Sequence, residues 1–194
     1  MKLDDIAKKY GTDKSTDFHG YTLIYEKLIT DLWGKSLLEI GVLDGASIKM
    51  WHEYLPRWQI TGVDINQDCK KHETEDIKII IEDQTKLELL KKYDVIIDDG
   101  SHNPKHFIQT LKNLWGNIKP GGLYIIEDLS VCQSAKHPVA WNARYSLFVN
   151  GEIRAFSTGY KCFLKGLESI EMHKKLIVFR KEQEDDLRDS DCTQ

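Results

Sequence analysis

The chain has 194 residues, 31 acidic against 27 basic, and a formal net charge of −4. Its 41% hydrophobic and 30% charged residues give the balance of a globular domain, which excludes a disordered chain, a collagen-like repeat and a coiled coil. The mild acidity argues against a broad nucleic-acid-binding surface, and no apolar run approaches the roughly 20 residues of a membrane helix. The N-terminus MKLDDIAKKYGTDK lacks the apolar core of a signal peptide. Cys69, Cys132, Cys162 and Cys192 are far apart, with no CxxC pair, and read as reduced thiols of a cytoplasmic protein.

In chain order, the first 35 residues carry helical patterns at 3–10 and 22–33 around a polar turn, Gly11-Thr12-Asp13-Lys14-Ser15-Thr16, and are expected to form a helical cap. Five nearly continuous β-branched runs follow: 36–42 (SLLEIGV), 59–65 (QITGVDI), 77–81 (IKIII), 93–98 (YDVIID) and, after the breaker Pro120-Gly121-Gly122, 122–127 (GLYIIE). Runs of that kind suit parallel strands covered on both faces. Between them, 46–54, 82–91 and 104–118 read as helices; in the last, Phe107, Leu111, Leu114 and Trp115 make one apolar stripe. Residues 167–172 and 175–180 read as two strands around a short turn. The expected fold is a doubly wound α/β domain over 1–181, a mostly parallel seven-stranded sheet with a C-terminal antiparallel hairpin. Residues 182–194 (EQEDDLRDSDCTQ) are expected to be an acidic, disordered tail.

In an open parallel sheet, ligands sit beyond the carboxyl ends of the strands. The first such loop reads Glu39-Ile40-Gly41-Val42-Leu43-Asp44-Gly45. Its glycines allow a tight turn and close approach of a ligand, but the spacing is neither GxGxxG nor a P-loop. Glu39 suits a ligand with a cationic amino acid end better than a phosphate. Asp64, ending the second strand, is placed to accept hydrogen bonds from both hydroxyls of a ribose. Tyr21, in the turn-rich N-terminal segment, is the candidate there for a cofactor or substrate contact.

ExGxxxG after the first strand, an acid ending the second and Lys-Pro-Gly-Gly before the fifth resemble the class I S-adenosylmethionine-dependent methyltransferases, a Rossmann-like fold. The resemblance implies that Gly41 and Gly45 line the methionine and ribose of the cofactor and that Asp64 holds the ribose. It also implies that Asp83 and Gln84 read the adenine, and that Asp98 contacts the methionine amino end.

A second constellation is Asp98-Asp99-Gly100-Ser101-His102 after the fourth strand, with Glu127-Asp128 after the fifth. Adjacent strands would bring Asp99, Glu127 and Asp128 into one all-oxygen site suited to Mg²⁺ or Mn²⁺. His102 has the chemistry of a general base for a substrate hydroxyl acidified by that metal. DDGSH, the later Glu-Asp pair and the N-terminal KYGTDK…HGYT…YEKL resemble the metal-dependent sugar O-methyltransferases of the macrolide-sugar type. That resemblance implies methyl transfer to a sugar or glycan hydroxyl, with a deoxyhexose such as rhamnose as one acceptor. It implies Asp99, Glu127 and Asp128 as metal ligands and His102 as base. The chain is expected to bind no nucleic acid, to have no membrane span and to be free to form a homo-oligomer. After the metal pair, 130–143 is where an acceptor-binding loop is expected, with His137 and Trp141 as sugar-stacking candidates. The alternatives are a catechol-like acceptor, an NAD-dependent oxidoreductase and a non-catalytic cofactor-binding module. The oxidoreductase lacks GxGxxG and a well-placed Tyr-x-x-x-Lys, and the module would not need His102 among the carboxylates.

Overall fold

A computed structural model describes residues 1–30, 32, 34–129, 164–173 and 175–183. The strands are β1 (Ser36–Ile40), β2 (Gln59–Asp64), β3 (Ile77–Ile81), β4 (Tyr93–Asp98), β5 (Ile118–Ile126), β6 (Leu167–Met172) and β7 (Ile177–Lys181). They form one sheet in the order β3-β2-β1-β4-β5-β7-β6. The first five are parallel, while β7 runs antiparallel to both β5 and β6. This is the doubly wound sheet with a terminal hairpin that the sequence predicts.

Side-chain alternation along the strands divides the interior into two layers. Leu37, Ile60, Val95, Ile97, Leu123, Ile125 and Val178 pack on one face, against helices α1 (Leu3–Tyr10), α2 (Thr22–Thr30) and α3 (Ala46–Tyr54). Their neighbours Leu38, Ile40, Val63, Ile96, Tyr124, Ile126 and Phe179 pack on the other, against α4 (Pro104–Leu114). Because both faces are covered, the strands need apolar residues at nearly every position, hence the continuous runs. Local signals end the helices as expected. Gly11 closes α1 in a left-handed conformation (φ 73°), donating its N–H to the carbonyls of Ala7 and Lys8. The Asn103 side chain accepts from the Lys105 amide to open α4.

Three expectations give way. No helix fills 82–91; a single 3₁₀ turn, Gln84–Lys86, forms where the Asp83 carboxylate accepts from the Thr85 amide. Carbonyls that a helix would have used are taken by side-chain amides: Asn113 donates to Thr85 O (3.0 Å), and Asn117 to Leu89 O (2.7 Å) and Lys91 O (2.9 Å). The supposed breaker before the fifth strand lies inside β5. A register irregularity between the pairs Tyr93–Ile118 and Val95–Leu123, with Gly121 at φ 70°, absorbs it as a bulge. The helix read to 118 stops at Leu114, a 3₁₀ turn covers Trp115–Asn117, and Ile118 already belongs to β5. A further 3₁₀ segment, Gln67–His72, links β2 to β3. The proposed acceptor loop with His137 and Trp141, three of the four cysteines (Cys132, Cys162, Cys192), Trp33 and most of the acidic tail lie outside the described residues. Among the described residues, no helix is long and apolar enough to cross a membrane.

Candidate active site

The strand order reverses between β1 and β4, which pair directly, so the loops leaving them diverge and open a cleft at their carboxyl ends. Gly41 sits at φ 94°, and a Cβ there would lie 2.1 Å from the Asp99 carbonyl oxygen. Only glycine lets the β1 loop pass so close to the β4 loop. Asp64 holds the β1 loop from the other side: Oδ2 accepts the amides of Val42 (2.8 Å) and Leu43 (3.1 Å), and Oδ1 that of Asn66 (2.8 Å). Burial pushes its carboxyl up, but these amides outweigh it and keep the group below the usual carboxylate range. The cleft has two connected parts of about 350 and 270 Å³, both lined by Gly41, Asp64 and Gly100. The larger runs past Asp44 and Ser47 to Asp99, His102 and Asp128, and the smaller past Glu82 and Asp83.

Beneath the cleft floor lies a buried charge cluster. Glu39, Asp99 and Glu127 share the strand parity of Leu37, Ile97 and Ile125, so all three face the layer covered by the N-terminal segment. Lys14, whose side chain is 1% exposed, reaches from that segment into their midst. Its Nζ lies 2.6 Å from Asp99 Oδ2, 2.8 Å from Glu127 Oε2 and 3.3 Å from Glu39 Oε1. Tyr25 donates to the other oxygen of Glu127, and Ser47 Oγ to Glu39 Oε2 at 2.9 Å. Burial disfavours the Lys14 ammonium, yet the three carboxylates outweigh it and hold the amine protonated well above its ordinary range. Burial pushes Glu39, Asp99 and Glu127 upward, with Lys14 opposing the rise in each.

At the cleft edge, Asp99, His102 and Asp128 each present a ligand atom within 4.8 Å of the others. His102 Nε2 lies 4.0 Å from Asp128 Oδ2. Both His102 (φ 52°) and Asp128 (φ 56°) adopt the left-handed backbone conformation that side chains other than glycine avoid. Strained backbone at two acid–base residues facing one cleft is characteristic of a functional site. On the far side of Asp128, Tyr21 donates to Oδ1 at 2.6 Å, and His19 Nε2 lies 3.8 Å away. Lys175, just before β7, places its Nζ 2.7 Å from His19 Nδ1.

The predicted residues thus occupy distinct places. Gly41, Asp64, Asp99, His102 and Asp128 line the larger part of the cleft, and Asp83 and Gln84 the smaller; Gly45 lines neither, and a Cβ there would meet the His72 ring at 2.6 Å. Glu39 and Glu127 lie under the floor, bound to Lys14. Tyr21 is buried behind Asp128. Asp98 has the parity of Ile96 and turns to the α4 layer, where Gln84 Nε2 (3.1 Å) and Tyr124 OH (3.0 Å) take its two oxygens. Burial pushes its carboxyl up to about 7. Gln84 uses its other end to accept the Ser101 amide at 2.8 Å, so it braces the β4 loop as well as bordering the cleft.

No protein-family model matches the chain. It is 35% identical over 143 residues to the mycinamicin VI 2''-O-methyltransferase of Micromonospora griseorubida, matching 66% of this chain and 36% of that one. It is 32% identical over 143 residues to the 8-demethyl-8-alpha-L-rhamnosyl tetracenomycin-C 2'-O-methyltransferase of Streptomyces olivaceus, with 66% and 37% covered. Among solved structures, MycE methyltransferase of the mycinamycin biosynthetic pathway, in complex with Mg, SAH and mycinamycin VI, superposes with a TM-score of 0.82 at 26% identity, over 94% of this chain and 55% of that one. The chain is a homologue of the antibiotic-sugar O-methyltransferases and shares the class I methyltransferase fold. The match spans little more than a third of the length of these curated relatives.

Several residues around the site carry little or no local sequence signal. Tyr25 was visible only as part of the YEKL motif, and His19 as part of HGYT. Lys14 stands in the sequence only as part of a polar turn; its burial depends on contacts 85 and 113 residues away. Lys175 carries no local signal.

Proposed function

We propose that the chain transfers a methyl group from S-adenosylmethionine to a hydroxyl of a sugar or glycan in the cytoplasm, assisted by a divalent cation. The observation that carries this reading is the cleft at the β1–β4 switch point, which joins a glycine-and-Asp64 binding loop to an edge bearing Asp99, His102 and Asp128. Gly41 leaves room for the methionine and ribose, Asp64 faces the ribose, and Asp83 borders the part that suits the adenine. The carboxylate oxygens of Asp99 and Asp128 are hard donors that fit Mg²⁺ or Mn²⁺. Glu127, the third ligand expected from sequence, is engaged by Lys14 and Tyr25 behind them. A bound cation would lower the pKa of a coordinating sugar hydroxyl. His102 accepts the hydroxyl proton, and the oxygen takes the methyl as the sulfonium leaves as a neutral thioether. Asp128 orients His102 from 4.0 Å, and the N-terminal segment excludes water from beneath the site through Lys14 and Tyr21.

The relatives act on sugar-bearing antibiotics according to their names, which supports a sugar acceptor and, among sugars, a deoxyhexose such as rhamnose. The test is a methyl-transfer screen over free and nucleotide-linked sugars, with and without EDTA, read by mass spectrometry. Methylation of a sugar that stops in EDTA and returns with Mg²⁺ or Mn²⁺ is the expected result. Transfer to catechols but to no sugar would overturn the acceptor, and full turnover in EDTA would overturn the metal.

A further inference from the structure

Gln84 borders the smaller part of the cleft, yet the residue is buried and its amide is directed into the protein. Nε2 donates to Asp98 Oδ1 (3.1 Å) and to Thr110 Oγ1 (3.1 Å), which uses both of its hydrogens. Oε1 accepts the Ser101 amide at 2.8 Å. One side chain therefore joins the turn after β3, the end of β4 and the middle of α4. Thr110 is itself fixed by its donation to His106 O at 2.8 Å, so the amide is anchored on a helix. The β4 loop is shaped to receive it: a Cβ on Gly100 would lie 2.5 Å from Gln84 Oε1, and any larger residue there would push the amide off Ser101. The residue after Ser101 is His102, at φ 52°. A side chain stays in that region only where its surroundings over-determine it. On one side Gln84 holds the Ser101 amide, with Ser101 Oγ 2.8 Å from His106 Nδ1; on the other, Asn103 caps α4.

We propose that Gln84 is a positioning residue: its amide, anchored on Asp98 and Thr110, holds Ser101 and thereby aims the His102 imidazole at the acceptor hydroxyl. This rests on the reading of His102 as general base and adds what sets its aim. Both Nε2 hydrogens are engaged within the protein, so the amide has no donor left for an adenine ring. Without that amide the turn at 101–102 relaxes out of the left-handed region and carries the imidazole off line, while Asp64 and the β1 loop keep the cofactor pocket as it was.

The experiment compares wild type, Gln84→Met, His102→Ala and the double variant as full-length proteins, on the best acceptor from the screen above, with folding checked by circular dichroism. Gln84→Met should lower kcat at least about tenfold, toward the 10²-fold that a misplacement of about 1 Å costs. Its Kd for S-adenosylhomocysteine should stay within about twofold of wild type. Because Gln84 acts through His102, adding Gln84→Met to His102→Ala should change kcat by no more than about twofold. A weakened Kd with kcat intact makes Gln84 a reader of the cofactor, and additive losses in the double variant make it a structural residue; either overturns the proposal. Amide exchange followed by nuclear magnetic resonance reads the brace without turnover. In wild type the Ser101 amide should exchange at least about 100-fold more slowly than in an unstructured chain, and faster in Gln84→Met. A Ser101 amide unprotected in wild type overturns the proposal even if Gln84→Met does not fold. If the screen yields no acceptor, the methyltransferase reading fails by itself, and the exchange of the Ser101 amide still decides whether Gln84 holds this turn.

Discussion

Tyr21 OH donates to Asp128 Oδ1 at 2.6 Å, joining the start of α2's turn to the end of β5 across 107 residues of chain. Burial and the Asp128 charge both push the phenol above its ordinary range, so it remains a neutral donor throughout the working pH range. It therefore fixes one oxygen of Asp128 and leaves the other turned toward His102.

Removing that hydroxyl should loosen Asp128 without touching the cofactor loop. Tyr21→Phe is expected to weaken Mn²⁺ binding by about tenfold, the scale for an outer hydrogen bond to a metal ligand. Calorimetry with S-adenosylhomocysteine should show affinity within about twofold of wild type, because Tyr21 does not line the cleft.

Asp64 has the opposite profile. Asp64→Ala removes the acceptor for the amides of Val42, Leu43 and Asn66 and, on the proposed reading, for the ribose hydroxyls together. Binding of S-adenosylhomocysteine, measured by calorimetry, should fall by more than about 1.5 kcal/mol, with Mn²⁺ affinity little changed.

His102 separates chemistry from stability. His102→Ala should lower kcat by roughly 10²–10⁴-fold, the loss expected for a general base. Because the residue sits at φ 52°, His102→Gly should relieve backbone strain and melt above His102→Ala, by about 1 kcal/mol in stability, while remaining equally inactive. Parallel kcat and melting measurements on the two variants decide this; a glycine variant no more stable than the alanine one would count against strain.

Acid should release the N-terminal segment through Asp4. Burial pushes this carboxyl up, but hydrogen bonds from Thr16 and Thr22, with Lys8 beside them, outweigh it and hold the group below its ordinary value of 3.8. A carboxyl lowered on folding contributes stability above pH 3.8 and loses it as pH falls through its folded value. Asp4→Asn should therefore melt below wild type at pH 7 by about 2–4 °C, for a loss of about 1 kcal/mol at a site solvent partly reaches. The gap should close as the pH is taken down from 4 in thermal melts of both proteins.

What was readable in the sequence follows from how local each signal is. The strands were legible because burial on both faces demands uninterrupted β-branched runs, and the β1 loop because Gly41 admits no side chain. The inward turn of Asp98 was present in the sequence as parity with Ile96, but the resemblance to cofactor-contacting residues in relatives pointed the other way. The region 82–91 read as a helix because its competitors, Asn113 and Asn117, lie on a different element. Glu127 was readable as an acid at a strand end. That Lys14 and Tyr25 would claim it depends on the N-terminal segment folding over the sheet, which no local pattern encodes.

The reach of Lys14 also sets an order in time. During synthesis the lysine leaves the ribosome 113 residues ahead of Glu127 and 85 ahead of Asp99. At roughly 5–20 residues per second that is a wait of about ten seconds before β5 exists to receive it. Until then the ammonium stays in water, and α1 and α2 have only part of their sheet to lie on. The cleft is thus among the last parts of the molecule to form, and a chain stalled before residue 127 would carry most of the β1 loop without the edge that Asp128 completes.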